Sequence, residues 1–268
     1  MCALQVLLNA GANKGYNMLE FAQRYSASAR NLTHKWWHKQ LRVAGCQMQC
    51  CGVCGACSAG EAAPQGSDAK LTMHAFELQN ATAVMLRTLV AMSELPIEVH
   101  SMAVSNHTGF VYTRPDVKAG FEAFGMVRPE NQRSWHVSRP VTTIDHFMAA
   151  RRIERAHFVS IDTEGEDSLV LRGMARSLAE KRVDVLEFEY SRKWKLVLGN
   201  SRPLGPVIEW LRERGYFCFW QGNTGHLAQV SAPCFREDNF HRFGFTRSNL
   251  VCSHRPDILR VFRASQKE

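Results

Sequence analysis

Short apolar runs alternate with amphipathic segments along most of the chain. Residues 4–10 form a continuous apolar run that ends in a glycine turn, which is typical of a strand buried in a parallel sheet. The same pattern predicts further strands at 71–78, 97–105, 157–162, 183–190, 216–221, 227–231 and 248–255. Helices are predicted at 17–25, 81–93, 141–153, 166–180 and 206–215. This alternation predicts an α/β fold with a doubly wound, mostly parallel sheet and helices on both faces.

Two stretches depart from the alternation. Residues 30–70 combine a tryptophan- and histidine-rich segment, a cysteine cluster and a loop-like run of small residues, and we interpret them as an insertion. Residues 110–140 show little periodicity and are predicted to form a long connection. Because the chain has no internal repeat and no low-complexity linker, residues 1–268 are predicted to form a single domain.

The charge balance permits an acidic partner without requiring one. Lysine and arginine exceed aspartate and glutamate by 33 − 25 = +8, and the isoelectric point is near 9.1. The densest basic patches, 34–42 and 151–155, are interpreted as solvated helix faces, with a surface for nucleic acid or another anion as the alternative. No apolar run approaches the length of about 18–20 residues that a membrane span needs.

Five of the nine cysteines lie within twelve residues: Cys46, Cys50, Cys51, Cys54 and Cys57. Four thiolates from this cluster, such as those of Cys46, Cys51, Cys54 and Cys57, could bind zinc. A loop prone to oxidation is favoured instead, because a second C-x2-C pair at a standard spacing is missing from the sequence.

The odd number of cysteines and the lack of a signal peptide predict reduced thiols and an intracellular, cytoplasmic protein. The chain begins almost at its first strand, so a targeting segment upstream of residue 1 is left open.

Ligands of such sheets bind beyond the carboxyl ends of the strands, which directs attention to the residues that follow each strand. The first strand ends in N-A-G-A-N-K-G, where Gly11 suits a tight turn and Gly15 suits close helix packing. The second strand ends at Glu77, where an acidic side chain can accept hydrogen bonds from both hydroxyls of a ribose. Glu77 lies 77 − 15 = 62 residues beyond the turn. Without an insertion of about 40 residues, this offset falls to about 22, close to the usual value of about 20.

Acidic residues also follow two later strands. Asp162 ends the fourth strand, and Glu187 and Glu189 lie on one face of the fifth because side chains alternate along a strand. Clustered carboxylates can bind an amine, bind a metal or act as a base. Glu164, like Glu166 and Asp167, also suits the start of a helix, where acidic residues are favoured for electrostatic reasons.

Taken in order, these strand ends resemble the motifs of the FkbM family of S-adenosylmethionine-dependent methyltransferases. The motifs are NAGANKG (9–15), AFELQN (75–80), AVSNHTG (103–109), VTTIDHF (141–147), SIDTEGED (160–167), VLEFEY (185–190) and SNLVC (248–252). The resemblance implies a class I methyltransferase fold, in which a sheet of seven strands has its last strand antiparallel. It also implies that S-adenosylmethionine is the cofactor.

The resemblance assigns roles to individual residues. Residues expected at the methionine end of the cofactor are Asn9, Gly11, Ala12, Asn13 and Gly15. Glu77 is expected at the ribose, and the adenine is expected beside Ala103, Val104 and Ser105. Asp162 is expected to face the sulfonium and the acceptor, and is the first candidate for the base, followed by Glu189 and Glu164. The implied acceptor is a hydroxyl oxygen of a sugar or small metabolite, so the partner is a small molecule or a glycan.

Two residues differ from the family pattern. Asn9 replaces an aspartate, which removes a negative charge near the cofactor's ammonium group, and Ser160 replaces a lysine. These changes leave open a degenerate methyltransferase-like protein that binds without turnover. A nucleic-acid-modifying methyltransferase is a second alternative, because the chain is basic. A nicotinamide-dependent oxidoreductase is disfavoured, because the turn lacks the central glycine that lets the backbone approach a pyrophosphate.

Overall fold

The computed structural model describes residues 4–47, 70–115, 118–122, 125–127, 131–195, 199, 204–222, 226–231 and 247–264. The chain divides into two compact units, Met1–Thr142 and Thr143–Glu268. Each unit has its own strands, helices and buried apolar core.

The first unit contains two sheets. Its strands are β1 (Leu4–Ala10), β2 (Lys70–Phe76), β3 (Ile97–His100), β4 (Ala103–Val104), β5 (Gly109–Thr113) and β6 (Val137–Thr142). Its helices are α1 (Tyr16–Tyr25), a 3-10 helix (Ala27–Asn31), α2 (His34–Val43) and α3 (Asn80–Ser93). Strand β2 pairs in parallel with both β1 and β3. Strands β4, β6 and β5 form a separate three-stranded sheet.

The second unit combines parallel and antiparallel strands. Its strands are β7 (Ala156–Ile161), β8 (Val183–Ser191), β9 (Phe217–Gln221), β10 (Leu227–Gln229) and β11 (Arg247–Ser253). Its helices are α4 (Ile144–Ala150), α5 (Asp167–Arg172), α6 (Ala175–Ala179), α7 (Leu204–Glu213) and α8 (Pro256–Ala264). Strand β7 pairs in parallel with β8. Strand β11 is antiparallel to both β8 and β9, and β10 is antiparallel to β9.

The predicted α/β class is confirmed, and seven of the predicted strands are present, three in the first unit and four in the second. They are β1, β2, β3, β7, β8, β9 and β11, of which the last is antiparallel. Strand β10 is a short addition beside β9. The match is good for β1 because its residues 6–10 are mostly apolar and all buried.

The prediction for residues 97–140 was wrong in two respects. The single strand expected at 97–105 is divided, because the N–H of Met102 donates to the carbonyl of His100 (3.0 Å) and the chain then joins β6 as β4. The expected long connection contains β5 and β6, which pair antiparallel. Both strands are partly exposed: Phe110 of β5 is 72% exposed, so the apolar periodicity of a buried strand is missing.

A helix lies within the segment that we interpreted as an insertion. Helix α2 begins after Thr33, whose hydroxyl accepts a hydrogen bond from the N–H of Trp36 (3.1 Å). Trp37 and Leu41 are fully buried, whereas the basic side chains Lys35, Lys39 and Arg42 are exposed, as expected for a solvated helix face. The indole N–H of Trp37 donates to the carbonyl of Lys14 (2.8 Å), so α2 packs directly against the glycine turn.

The helix predicted at 166–180 is two helices, α5 and α6. The chain turns at Gly173, and α6 starts where the Asp145 carboxylate accepts hydrogen bonds from the N–H groups of Arg176 (2.9 Å) and Ser177 (2.8 Å). A carboxylate at a helix N-terminus satisfies N–H groups that have no partner within the helix. The break therefore depends on a residue about 30 positions earlier, which local periodicity does not reveal.

The cysteines only partly follow the prediction of reduced thiols. Cys218 and Cys252 face each other directly across β9 and β11 and form a disulfide, which contradicts that prediction for this pair. Cys50, Cys51, Cys54 and Cys57 lie outside the described residues, so a zinc site in the cysteine cluster remains a prediction. None of the helices in the described part of the chain has the length and apolar character that crossing a bilayer requires.

Candidate functional site

The glycine turn after β1 is held against the end of β2. The N–H groups of Gly11 and Ala12 both donate to the carbonyl of Phe76, at 3.0 Å each. Gly15 has a φ of +76°, and a Cβ atom there would lie within about 3 Å of Leu86 and Trp37. Both the backbone conformation and the close packing therefore require glycine at this position.

Glu77 connects the turn to the strand ends. Its carboxylate accepts hydrogen bonds from the N–H of Asn13 (3.0 Å) and the N–H of Gln79 (2.8 Å), one on each oxygen. Its own N–H donates to the carbonyl of His100 at the end of β3 (3.0 Å). Glu77 is 7% exposed. The residue that spacing suggested as a ribose ligand thus contacts the glycine turn, although the two lie 64 residues apart in sequence.

Two amide oxygens at the turn are buried without a hydrogen-bond donor among the described residues. They are Oδ1 of Asn9, near the end of β1, and Oδ1 of Asn13. The backbone of Asn13 has a φ of +40°. A buried acceptor left without a donor costs about 1–3 kcal/mol. The turn therefore offers acceptors that a ligand carrying N–H groups would satisfy.

Lys14 is a buried cation at the same turn, which the sequence analysis did not single out. It is 3% exposed and forms an ion pair with Glu122. Burial of a lysine is unusual and requires an opposite charge. The lysine itself is visible within GANKG, but its partner lies 108 residues away, so the pairing could not be predicted from local sequence.

The three residues expected beside the adenine are buried in the first unit. Ala103 and Val104 form β4, and the N–H of Ser105 donates to the carbonyl of Thr142 at the end of β6 (2.9 Å). They therefore belong to the three-stranded sheet rather than to an extension of β3. Their role beside a cofactor stays a prediction.

The second unit gathers carboxylates at the ends of β7 and β8. Asp167, the first residue of α5, is fully buried and accepts hydrogen bonds from the N–H groups of Thr163 (3.2 Å) and Gly165 (3.1 Å). Burial raises its pKa well above the usual range, and the negative charges of Asp162 and Glu189 raise it further. Asp162, Asp167 and Glu189 are thus close enough to interact electrostatically.

Glu164 and Glu187, two further acidic residues of this unit, have polar partners. Glu164 forms an ion pair with Lys193. Glu187 accepts hydrogen bonds from the amide groups of Gln221 (3.1 Å) and Asn249 (3.3 Å). Asp162, in contrast to the buried Asp167, is exposed at the end of β7. An exposed carboxylate beside other acidic groups can accept a proton from a bound molecule.

Gly165 fixes the shape of the loop between β7 and α5, which carries Asp162 and Glu164. It has a φ of +109°, and a Cβ atom there would lie 2.6 Å from the Cβ of Lys193. We expect Gly165→Ala to lower the free energy of unfolding by about 1–3 kcal/mol, measured by denaturant titration. Gly109→Ala is the matched control, because Gly109 has a φ of +130° but open space around it. Equal losses in the two variants would show that the contact with Lys193 has no effect.

The strands and helices of the two units, each taken by itself, are those of an α/β protein of the class I methyltransferase type. The family model of the methyltransferase FkbM domain matches residues 54–218, more than half of the chain, and the chain belongs to this family. The matched range includes Glu77, Asp162 and Glu189, whereas the glycine turn at 9–15 precedes it. The FkbM resemblance expected from the strand-end motifs is therefore confirmed.

Two solved structures of methyltransferases are similar to this chain. The crystal structure of methyltransferase FkbM from Methylobacillus flagellatus is 13% identical at a TM-score of 0.45, and the match covers 94% of this chain and 44% of that one. The methyltransferase domain of METTL16 is 13% identical at a TM-score of 0.39, and the match covers 94% of this chain and 61% of that one. The chain thus spans less than two thirds of either structure. The comparison with curated proteins gives no match.

Proposed function

We propose that this chain is an S-adenosylmethionine-dependent methyltransferase that acts on a hydroxyl oxygen of a sugar or another small metabolite. Membership of the FkbM methyltransferase family supports methyl transfer. The observation that carries the cofactor assignment is the buried Glu77 carboxylate, which accepts a hydrogen bond from the N–H of Asn13 in the glycine turn and another from the N–H of Gln79. An ionised carboxylate can accept about four hydrogen bonds, so it can bind both backbone groups and ribose hydroxyls.

The unsatisfied amide oxygens at the turn support the same cofactor. Oδ1 of Asn9 and Oδ1 of Asn13 are hydrogen-bond acceptors, and the methionine part of S-adenosylmethionine carries an ammonium group with three N–H donors. A nicotinamide cofactor offers a pyrophosphate instead, which needs donors rather than acceptors. We therefore assign the ammonium group to Asn9 and Asn13, and the ribose to Glu77.

When bound, S-adenosylmethionine supplies a methyl group on a sulfonium, and its transfer is an in-line displacement that depends on alignment. The residues of this chain have two tasks. Glu77, Asn9 and Asn13 orient the cofactor through hydrogen bonds. Asp162, assigned by its place in the SIDTEGED motif, would accept the proton of the acceptor hydroxyl on a carboxylate oxygen, because a neutral alcohol is a weak nucleophile.

Calorimetry tests the cofactor assignment directly. The purified chain is titrated in separate experiments with S-adenosylmethionine, S-adenosylhomocysteine and NADH. We expect binding of the first two and no heat with the third. Binding of NADH without binding of S-adenosylmethionine would reverse the assignment.

The acceptor class is tested with labelled cofactor. Transfer of the radioactive methyl group is measured to sugars, hydroxylated metabolites, amines and single-stranded RNA at equal concentration. We expect label on an acceptor oxygen that is stable to mild base, as an ether is. Label found on RNA alone would favour the nucleic-acid-modifying alternative, to which the net charge of +8 is also suited.

Restoring a negative charge at position 9 is expected to strengthen cofactor binding. Asn9→Asp should raise the affinity for S-adenosylhomocysteine about tenfold or more, because a charge-assisted hydrogen bond is worth about 1.5–3 kcal/mol. Without ligand the variant should be less stable than the wild type, since position 9 is only 2% exposed and an isolated buried charge is unfavourable.

The matched control for Asn9→Asp is a change of ligand. 5′-Methylthioadenosine has the nucleoside and the sulfur of S-adenosylhomocysteine but lacks the amino acid group. Its affinity should be the same for the wild type and the variant. An equal gain for both ligands would show that the charge acts elsewhere than on the ammonium group.

A further inference from the structure

A cluster of two histidines and one glutamate lies on β2 and β3 and has no part in the proposed methyl transfer. The parallel register places Glu98 beside His74 and places His100 beside Phe76. Side chains two residues apart along a strand lie on the same face, so His74, Glu98 and His100 share one face of the sheet. All three belong to the first unit.

The distances between their ligand atoms match a metal site. Nδ1 of His74 lies 3.2 Å from Nε2 of His100 and 3.5 Å from Oε2 of Glu98. One ligand atom from each residue lies within 4.8 Å of the others. In tetrahedral zinc sites with bonds of about 2.0–2.1 Å, neighbouring ligand atoms are about 3.3 Å apart. Two of the contacts are therefore already close to the spacing that a bound ion requires.

The surroundings also suit a cation. His74 and His100 are only 5% and 8% exposed, so their orientations are fixed by packing, including the stacking of His100 on Phe76. The side chain of Glu98 is 47% exposed, which gives an ion a route from solvent.

We propose that His74, Glu98 and His100 form a binding site for zinc or a similar first-row divalent cation. Two imidazole nitrogens and one carboxylate oxygen are ligands that zinc accepts, and a water molecule would complete the tetrahedron. The site joins neighbouring strands, so a bound ion is expected to raise the thermal stability of the chain. It contains none of the cysteines considered in the sequence analysis.

The test uses the full chain after removal of metal by dialysis against a chelator. Zinc is titrated in competition with a chromophoric chelator, and cobalt is added separately to record its absorption spectrum. To exclude the cysteine cluster, both titrations are repeated in a background that carries Cys51→Ser, Cys54→Ser and Cys57→Ser. We expect one zinc per chain in this background and a cobalt spectrum without thiolate charge-transfer bands.

Variants then locate the ion. Loss of a residue that only hydrogen-bonds to a metal ligand weakens metal binding by about 10- to 100-fold. Glu98→Gln and His100→Gln each remove a ligand itself, so each should weaken zinc binding by more than this factor. His107→Gln and Glu94→Gln are matched controls, because both residues are exposed and lie in the same unit. If His100→Gln does not fold, the exposed Glu98 still provides the test. Unchanged zinc affinity in folded Glu98→Gln and His100→Gln, or loss of all binding in the serine background, would overturn the proposal.

Discussion

Replacing Asp162 by asparagine is expected to reduce the rate of methyl transfer by about 10²- to 10⁴-fold, the usual contribution of a positioned general base. Asparagine has nearly the same size as aspartate but does not accept a proton from the acceptor hydroxyl. Asp162 is exposed at the end of β7, and its charge contributes to the raised pKa of Asp167, which places it among the carboxylates of the second unit. Turnover is measured as S-adenosylhomocysteine formed with an acceptor that the wild type methylates.

Cofactor affinity separates a base from a binding residue. If Asp162 acts mainly on the acceptor, Asp162→Asn should bind S-adenosylhomocysteine within about tenfold of the wild type, because the change then removes no direct interaction with the cofactor. The matched variants are Glu164→Gln and Glu189→Gln, which remove one charge each from the same unit. A large loss of turnover in either of these, with Asp162→Asn fully active, would transfer the role of base to that residue.

The parts of the fold that could be predicted from the sequence are those fixed by burial. Strand β1 is recognisable as a largely apolar run, and β8 by apolar residues spaced along a strand that lies mostly in the core. Strands β5 and β6 were missed because they are half-exposed and their sequence, with Pro140 inside β6, carries no strong alternation. Hydrophobic periodicity indicates which residues are buried. It therefore locates a strand only where one face or both faces of that strand are buried.

The candidate site was predictable where a residue follows a strand directly. Glu77 and Asp162 were identified by this rule and lie at the ends of β2 and β7. The ion pair of Lys14 with Glu122 and the cluster of His74, Glu98 and His100 were not identified. Their members look like ordinary strand or loop residues, and only the tertiary register of β2 with β3, or the return of a distant segment, brings them together.

Replacing Glu77 by alanine is expected to weaken cofactor binding by at least about 100-fold, because two charge-assisted hydrogen bonds to the ribose are lost at about 1.5–3 kcal/mol each. The same change leaves the N–H groups of Asn13 and Gln79 without their acceptor. The free energy of unfolding should therefore also fall by about 1–3 kcal/mol. Calorimetry with S-adenosylhomocysteine and denaturant titration measure the two effects separately.

A change of ligand distinguishes loss of a ribose contact from a distorted turn. Wild type should bind S-adenosylhomocysteine more tightly than its 2′-deoxy analogue, and Glu77→Ala should bind both with similar affinity. Glu94→Gln, an exposed carboxylate in the same unit, should keep the wild-type preference. If Glu77→Ala weakened both ligands equally and kept the preference, Glu77 would act only by holding Asn13 and the glycine turn in place, and the ribose would have another partner.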